Sequence, residues 1–333
     1  NGAIANLSII SYTKLLSNDP AETARLVSAC RDWGFFRLDL MSTEAESYRK
    51  TVADLNEISR EYFDQPLADK LKDTCDEWGV FNICGYKPRS LDFGNVEGKK
   101  DGCEGLRIPA DLFLMADPNK DLQIPQALHA QQHTVRSFVR NSHAIAVLVL
   151  ERLSTGLGLS GSSSLESFHR PDKASTATAV LQHYPFEGDL PEDTSAGHFA
   201  HTDAGSISIL FNSEWGLQVC SPHSENWEYV PPALGTHAIV NIGDTVKFLS
   251  GRQLKSCLHR VVPCPEKWTK GPRYSTIFFL RANDDAEFED MRGQRWNAQD
   301  WLNRKFLNYR SPHDVQMKTP TATGREGFVG LWE

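Results

Sequence analysis

Between residues 19 and 71 the apolar positions recur at helical spacing. Leu26, Cys30 and Trp33 follow Asp19 and Pro20, a pair that puts proline in a first turn, where its missing N–H costs nothing. Gly34 ends that run, and Phe35, Phe36, Arg37 and Leu38 read as a short strand. Thr43 and Glu46, three residues apart, have the form of a capping box. Behind them Tyr48, Val52, Leu55, Ser59 and Tyr62 mark one face of a long helix. Pro66 interrupts the pattern, which restarts over 67–71. Residues 80–106 are irregular and glycine-rich, with 96–102 expected as exposed loop. From Pro125 a second long helix carries Val135, Phe138, Val139, Ile145, Leu148 and Leu153, and Gly156, Gly158 and a serine run end it.

From about residue 175 the period changes. Short β-forming runs at 178–184, 206–211, 217–220, 238–242, 259–262 and 275–281 are separated by Gly, Pro and Asp turns. Strands at that spacing predict a sandwich or jelly roll. Asn297 then caps a last amphipathic helix bearing Trp301, Leu302, Phe306 and Leu307. The expected fold is mixed α and β, a jelly-roll core flanked by helices with a helical N-terminal region.

Composition narrows the function. Of 333 residues, 40% are apolar and 23% charged, an ordinary globular balance. The net charge of −8 offers no basic stripe for a nucleic acid. No apolar run approaches the ~20 residues of a membrane helix, and the first residues lack the basic and apolar blocks of a signal peptide. Seven cysteines, an odd number with no CxxC spacing, fit a reduced, cytoplasmic setting.

The chemistry begins at His201 and Asp203. In an extended segment residues i and i+2 point the same way, so an imidazole and a carboxylate aim at one point. His259, 58 residues on, is the candidate third ligand. Two histidines and one carboxylate on one face leave other coordination positions open, the arrangement of non-haem Fe(II) oxygenases. A second i, i+2 pair, Arg273 and Ser275, lies just beyond, among apolar residues. A buried guanidinium needs an anionic partner, and its planar fork suits a carboxylate. Tyr184 is a further donor from a neighbouring strand. Gln182 shares its face, and His183, of opposite parity, is expected to be structural.

With these residues in view the chain resembles the 2-oxoglutarate- and Fe(II)-dependent dioxygenases of the isopenicillin N synthase-like family. The resemblance runs along nearly the whole chain. It is carried by Cys30 to Phe36, His201-Thr202-Asp203-Ala204-Gly205, Gly216-Leu217-Gln218-Val219, Val240-Asn241-Ile242-Gly243-Asp244, His259-Arg260-Val261 and Arg273-Tyr274-Ser275. It implies a double-stranded β-helix with an N-terminal dioxygenase region over 1–120. A catalytic region over 121–333 would follow, with its Fe(II)/2-oxoglutarate core at about 175–285. It further implies that His201, Asp203 and His259 bind iron, and that Arg273, Ser275 and Tyr184 hold the distal carboxylate of 2-oxoglutarate. O₂ would be the oxidant and ascorbate an auxiliary reductant.

The expected partner is a small, partly apolar organic substrate of natural-product metabolism, with no nucleic acid and no membrane, the protein being a monomer or weak oligomer. Hydrogen abstraction would lead to hydroxylation, desaturation or rearrangement. Phe279, Phe199 and Val180 are the expected substrate contacts, from their strand parity with Arg273, His201 and Gln182. Two other readings stay open. One is an oxidase like isopenicillin N synthase or aminocyclopropane-carboxylate oxidase, which keeps the Arg-x-Ser pair without using 2-oxoglutarate. The other is a non-catalytic ligand-binding protein on the same scaffold.

Overall fold

A computed structural model describes residues 2–74, 84–89, 102–115, 124–186, 197–267, 269, 271–311, 313–316 and 318–324. The first third supplies strands β1 (Ile9–Ser11), β2 (Phe35–Asp39), β3 (Gly85–Lys87) and β4 (Glu104–Pro109). The core supplies β5 (Thr178–Tyr184), β6 (His198–His201), β7 (Ile207–Asn212), β8 (Leu217–Cys220), β9 (Trp227–Tyr229), β10 (His237–Ile242), β11 (His259–Val261) and β12 (Arg273–Leu280). They form two sheets, an eight-stranded one ordered β1-β2-β10-β7-β12-β5-β4-β3 and a four-stranded one ordered β6-β11-β8-β9. This is the expected jelly roll, closed by four strands from the N-terminal region.

Alternation along the strands decides what each face does. On β12 the side chains of Tyr274 and Phe278 join the main core, with Ile209 and Phe211 of β7. Helices Glu46–Phe63 and Gln132–Leu157 cover that face. Tyr48 on the first helix packs against Phe138 on the second and Phe211 on the sheet, and its hydroxyl bonds Ser142. The face of Tyr48, Val52, Leu55, Ser59 and Tyr62 is buried as its spacing requires. The opposite residues of β12, from Arg273 to Phe279 in steps of two, look into the barrel.

Helix ends follow local chemistry. Asp19 caps Pro20–Asp32 by accepting from the Glu22 amide, and Gly34, at φ +69°, turns the chain into β2. Asn297 caps Ala298–Tyr309 by accepting from the Asp300 amide. The capping box expected at Thr43 does not form. Thr43–Ala45 is instead a 3₁₀ turn that leads into Glu46–Phe63, whose N-terminus has no side-chain cap. A backbone bond from Ala45 to the Ser42 carbonyl does part of that work.

The irregular stretch expected over 80–106 also contains β3 and the first half of β4. Most of the loop expected at 96–102 lies outside the described residues. The signal for β4 was hidden by Glu104, a charged residue buried in the strand. It accepts from Lys70 at 2.8 Å, His183 at 2.8 Å and the Tyr86 hydroxyl. Three donors compensate its desolvation. His183 stacks between Phe63 and Tyr274; it is structural and faces away from the barrel interior, as its parity predicted.

Candidate metal centre

His201 ends β6 and His259 opens β11, and the two are direct cross-strand partners. Their rings lie 4.4 Å apart, centroid to centroid. Asp203 follows in the turn after β6. Its Oδ1 lies 3.6 Å from His201 Nε2 and 3.7 Å from His259 Nε2. The three side chains offer one ligand atom each within a 4.8 Å cluster.

Hydrogen bonds orient all three donors. His201 Nδ1 lies 2.8 Å from the Phe199 carbonyl, and His259 Nδ1 3.1 Å from the Cys257 carbonyl. A carbonyl can only accept, so each Nδ1 carries the proton and each Nε2 presents a lone pair inward. Asp203 Oδ2 accepts from Ser208 Oγ at 2.6 Å and Asn241 Nδ2 at 2.7 Å, leaving Oδ1 for the histidines. Burial pushes the His259 imidazolium down to about 4, with the charge of His201 adding to it. For Asp203, burial alone would raise the carboxyl, but His259, His201 and the Ser208 hydrogen bond hold it well below the usual range. An ionised carboxylate and imidazoles whose Nε2 atoms face inward are what a metal requires, so this donor set fits Fe(II).

The turn is braced from behind. The Asp244 amide donates to the Asp203 carbonyl at 2.8 Å. A Cβ on Gly243 would lie 2.2 Å from the Gly205 carbonyl oxygen, so only glycine allows this approach. Lys305, fully buried on the C-terminal helix, pairs with Asp244 and donates to Thr202 Oγ1 at 2.6 Å. Tyr309 donates to the Thr202 carbonyl at 3.0 Å.

Arg273 stands elsewhere on the same cavity and is 1% exposed. Its Nη1 donates to Ser275 Oγ at 2.7 Å, and its guanidinium sits 4.9 Å from the centre of the Tyr184 ring, its cross-strand partner. Its Nε has no hydrogen-bond partner among the described residues. A desolvated cation with an unused donor, facing a cavity, fits an incoming carboxylate. Gly216 makes room for it: a Cβ there would lie 3.3 Å from Arg273 Cδ.

Val180, Phe279 and Gln182 line the cavity, as parity predicted. Phe199 is placed differently. It packs against Tyr309 and Ala322, and its role at the centre is its carbonyl. The reason is a register shift: His259 pairs with His201, but Val261 pairs with His198. That irregularity brings His198 rather than Phe199 onto the cavity face. His198, Ser208, Asn241, Arg107, Arg281 and Tyr309 also line it and were not singled out from sequence. A polar Asn241 inside an apolar strand run was the one available signal.

Comparison with known proteins points to one family and fold. Residues 175–282 match the 2OG-Fe(II) oxygenase superfamily, and residues 7–127 match the N-terminal region of non-haem dioxygenases in morphine synthesis. The chain is 36% identical over 320 residues to a 2-oxoglutarate-dependent dioxygenase, FG08081, of Gibberella zeae, covering 96% of this chain and 92% of that one. It is 36% identical over 333 residues to the oxidoreductase vrtI of Penicillium aethiopicum, covering 98% and 77%. Its fold is similar to that of a full-length Neurospora crassa protein crystallised in complex with α-ketoglutarate. The TM-score is 0.72 at 22% identity, covering 92% of this chain and 98% of that one.

Proposed function

Because the chain belongs to the 2OG-Fe(II) oxygenase superfamily, we propose that its iron is held by His201, Asp203 and His259 and its 2-oxoglutarate by Arg273, Ser275 and Tyr184. The enzyme is a 2-oxoglutarate-dependent oxygenase using Fe(II), 2-oxoglutarate and O₂. Bound iron supplies oxygen activation, with 2-oxoglutarate as the co-reductant that leaves as succinate and CO₂. The protein's own task is to fix the ligands, bind the co-substrate's far carboxylate and present a C–H bond in a cavity walled by apolar side chains.

The observation that carries the residue assignment is the Nε of Arg273, buried without a partner on the cavity that holds the triad. Arg273 also leaves its own Nη1 on Ser275, so the hydroxyl is oriented beside the same anion. The two regions, 1–120 and 121–333, act as a sheet-completing N-terminal part and a catalytic part. The substrate is a small organic molecule, and the reaction is hydroxylation, desaturation or rearrangement following hydrogen abstraction. The similarity to fungal relatives supports a place in specialised metabolism. Six buried cysteines, none in a disulfide among the described residues, support a reducing, cytoplasmic setting. No described helix is long and apolar enough to cross a membrane.

The test is to load the protein anaerobically with Fe(II) and 2-oxoglutarate and follow succinate on adding O₂. Stoichiometric metal, a 2-oxoglutarate site lost in Arg273→Leu, and succinate formation are expected. Unchanged 2-oxoglutarate binding in that variant would remove Arg273 as the anchor.

A further inference from the structure

The cavity-facing row of β12 continues past the strand and has an arginine at each end. Arg273, Ser275, Ile277, Phe279 and Arg281 all line the cavity. At ~3.3 Å per residue the two arginine backbones stand on the order of 25 Å apart along the strand. One five-carbon dicarboxylate on Arg273 therefore cannot also engage Arg281. The metal ligands lie toward the Arg281 end. Ser208, which holds Asp203, pairs with Phe279, and Asn241 pairs with Ser208. Arg281 packs on the metal-binding turn itself: a Cβ on Gly205 would lie 2.9 Å from Arg281 Cγ.

A second guanidinium reaches the same wall. Arg107 on β4 pairs with Val180, which pairs with Ile277, so it stands two rows across from β12 on the cavity face. Arg281 gives Nη1 to the Thr176 carbonyl at 2.5 Å. Among the described residues it is in no ion pair, and Asp203, the nearby acid in the cavity, is committed to Ser208, Asn241 and the histidines. Burial pushes the Arg281 guanidinium down to about 10, and the charge of Arg107 adds to it, against Asp203, Tyr309 and Asp284. Both arginines are half-buried where they line the cavity, and a guanidinium there in no ion pair, as Arg281 is, has N–H donors to offer an incoming carboxylate.

We propose that Arg281, together with Arg107, binds a carboxylate of the substrate, which makes the substrate of this enzyme a small organic acid. The inference rests on Arg273 serving the co-substrate. The acid's carbon body then lies against Val180, Ile277, Leu210 and Phe279, which line the cavity between the two cationic ends. Its carboxylate is held beside the metal-binding turn, so C–H bonds close to the carboxylate are those presented for reaction.

The experiment uses the full chain loaded with Mn(II), a redox-silent stand-in, and saturating 2-oxoglutarate. Calorimetry then compares short straight-chain and aryl-substituted monocarboxylic acids with their primary amides. At least one acid is expected to bind, with its amide about 10- to 100-fold weaker, the worth of a charge-assisted hydrogen bond. Arg281→Leu is expected to erase that preference and leave 2-oxoglutarate affinity unchanged, while Arg281→Lys keeps part of it. If the Leu variant fails to fold, Arg281→Lys and Arg107→Gln decide, each weakening the acids and not the amides. Equal binding of acids and amides, no binding of any acid, or variants that weaken 2-oxoglutarate instead would each overturn the proposal. Failure of the wild type to bind 2-oxoglutarate at all is a different result: it removes the co-substrate reading and this inference with it.

Discussion

Lys305 Nζ donates to Thr202 Oγ1 at 2.6 Å, which ties the helix Ala298–Tyr309 to the residue between two candidate metal ligands. Lys305 is fully buried and its partner is Asp244. Burial lowers the Lys305 ammonium from its ordinary range, with the Asp244 carboxylate opposing. The pair thus holds charge inside the protein to position a turn.

Lys305→Met leaves Asp244 buried without its cation, a loss on the order of 3–5 kcal/mol in chemical denaturation. Adding Asp244→Leu should restore part of that loss, since the uncompensated charge is gone. A single variant with the wild-type denaturation midpoint would show that the pair contributes nothing to the fold.

Asn241→Ala removes one of the two donors on Asp203 Oδ2. The carboxylate can then rotate, and Fe(II) affinity is expected to fall about 10- to 100-fold. Metal titration followed by competition with a chelator reads this directly. Equal affinity in variant and wild type would mean that Ser208 alone orients the ligand.

His259→Ala and Arg273→Leu should fail in different ways. The first abolishes stoichiometric Fe(II) binding, because a third of the donor set is gone. The second keeps Fe(II) and weakens 2-oxoglutarate by up to about 100-fold, the loss of a charged hydrogen-bond donor. Retained iron in His259→Ala would break the triad assignment, whatever Arg273→Leu does.

Acid stability has a source away from the metal. Burial alone would raise the Glu104 carboxyl, but hydrogen bonds from His183, Lys70 and Tyr86 hold it at about 2. A carboxyl held below its unfolded value contributes stability that is fully present above about pH 4.5. That contribution fades as pH falls towards about 2, because the unfolded chain takes up the proton first. Glu104→Gln should therefore be less stable at pH 7 and lose less between pH 4.5 and 2 than the wild type. Parallel stability–pH curves for the two proteins would rule Glu104 out.

Much of the fold was legible because its signals are local. The face from Tyr48 to Tyr62, the caps at Asp19 and Asn297 and the run 178–184 each depend on spacing or on one turn of backbone. The ligand candidates were legible for a similar reason, since His201 and Asp203 lie two residues apart. Strands β3 and β6 were missed because they are short, and β4 because Glu104 is satisfied by residues far along the chain.

The sequence by itself determined which residue types were available for the chemistry and which faces of the strands they occupy. Tertiary structure decided the rest, because pairing register and long-range hydrogen bonds are not encoded in any one segment. It set His259 opposite His201, and it turned His198 inward and Phe199 outward through one register irregularity. It also gathered Asn241, Ser208, Lys305 and Tyr309 around a single turn from three separate elements. Arg107 on β4 and Arg281 just past β12 reach one cavity only because β5 pairs with both strands.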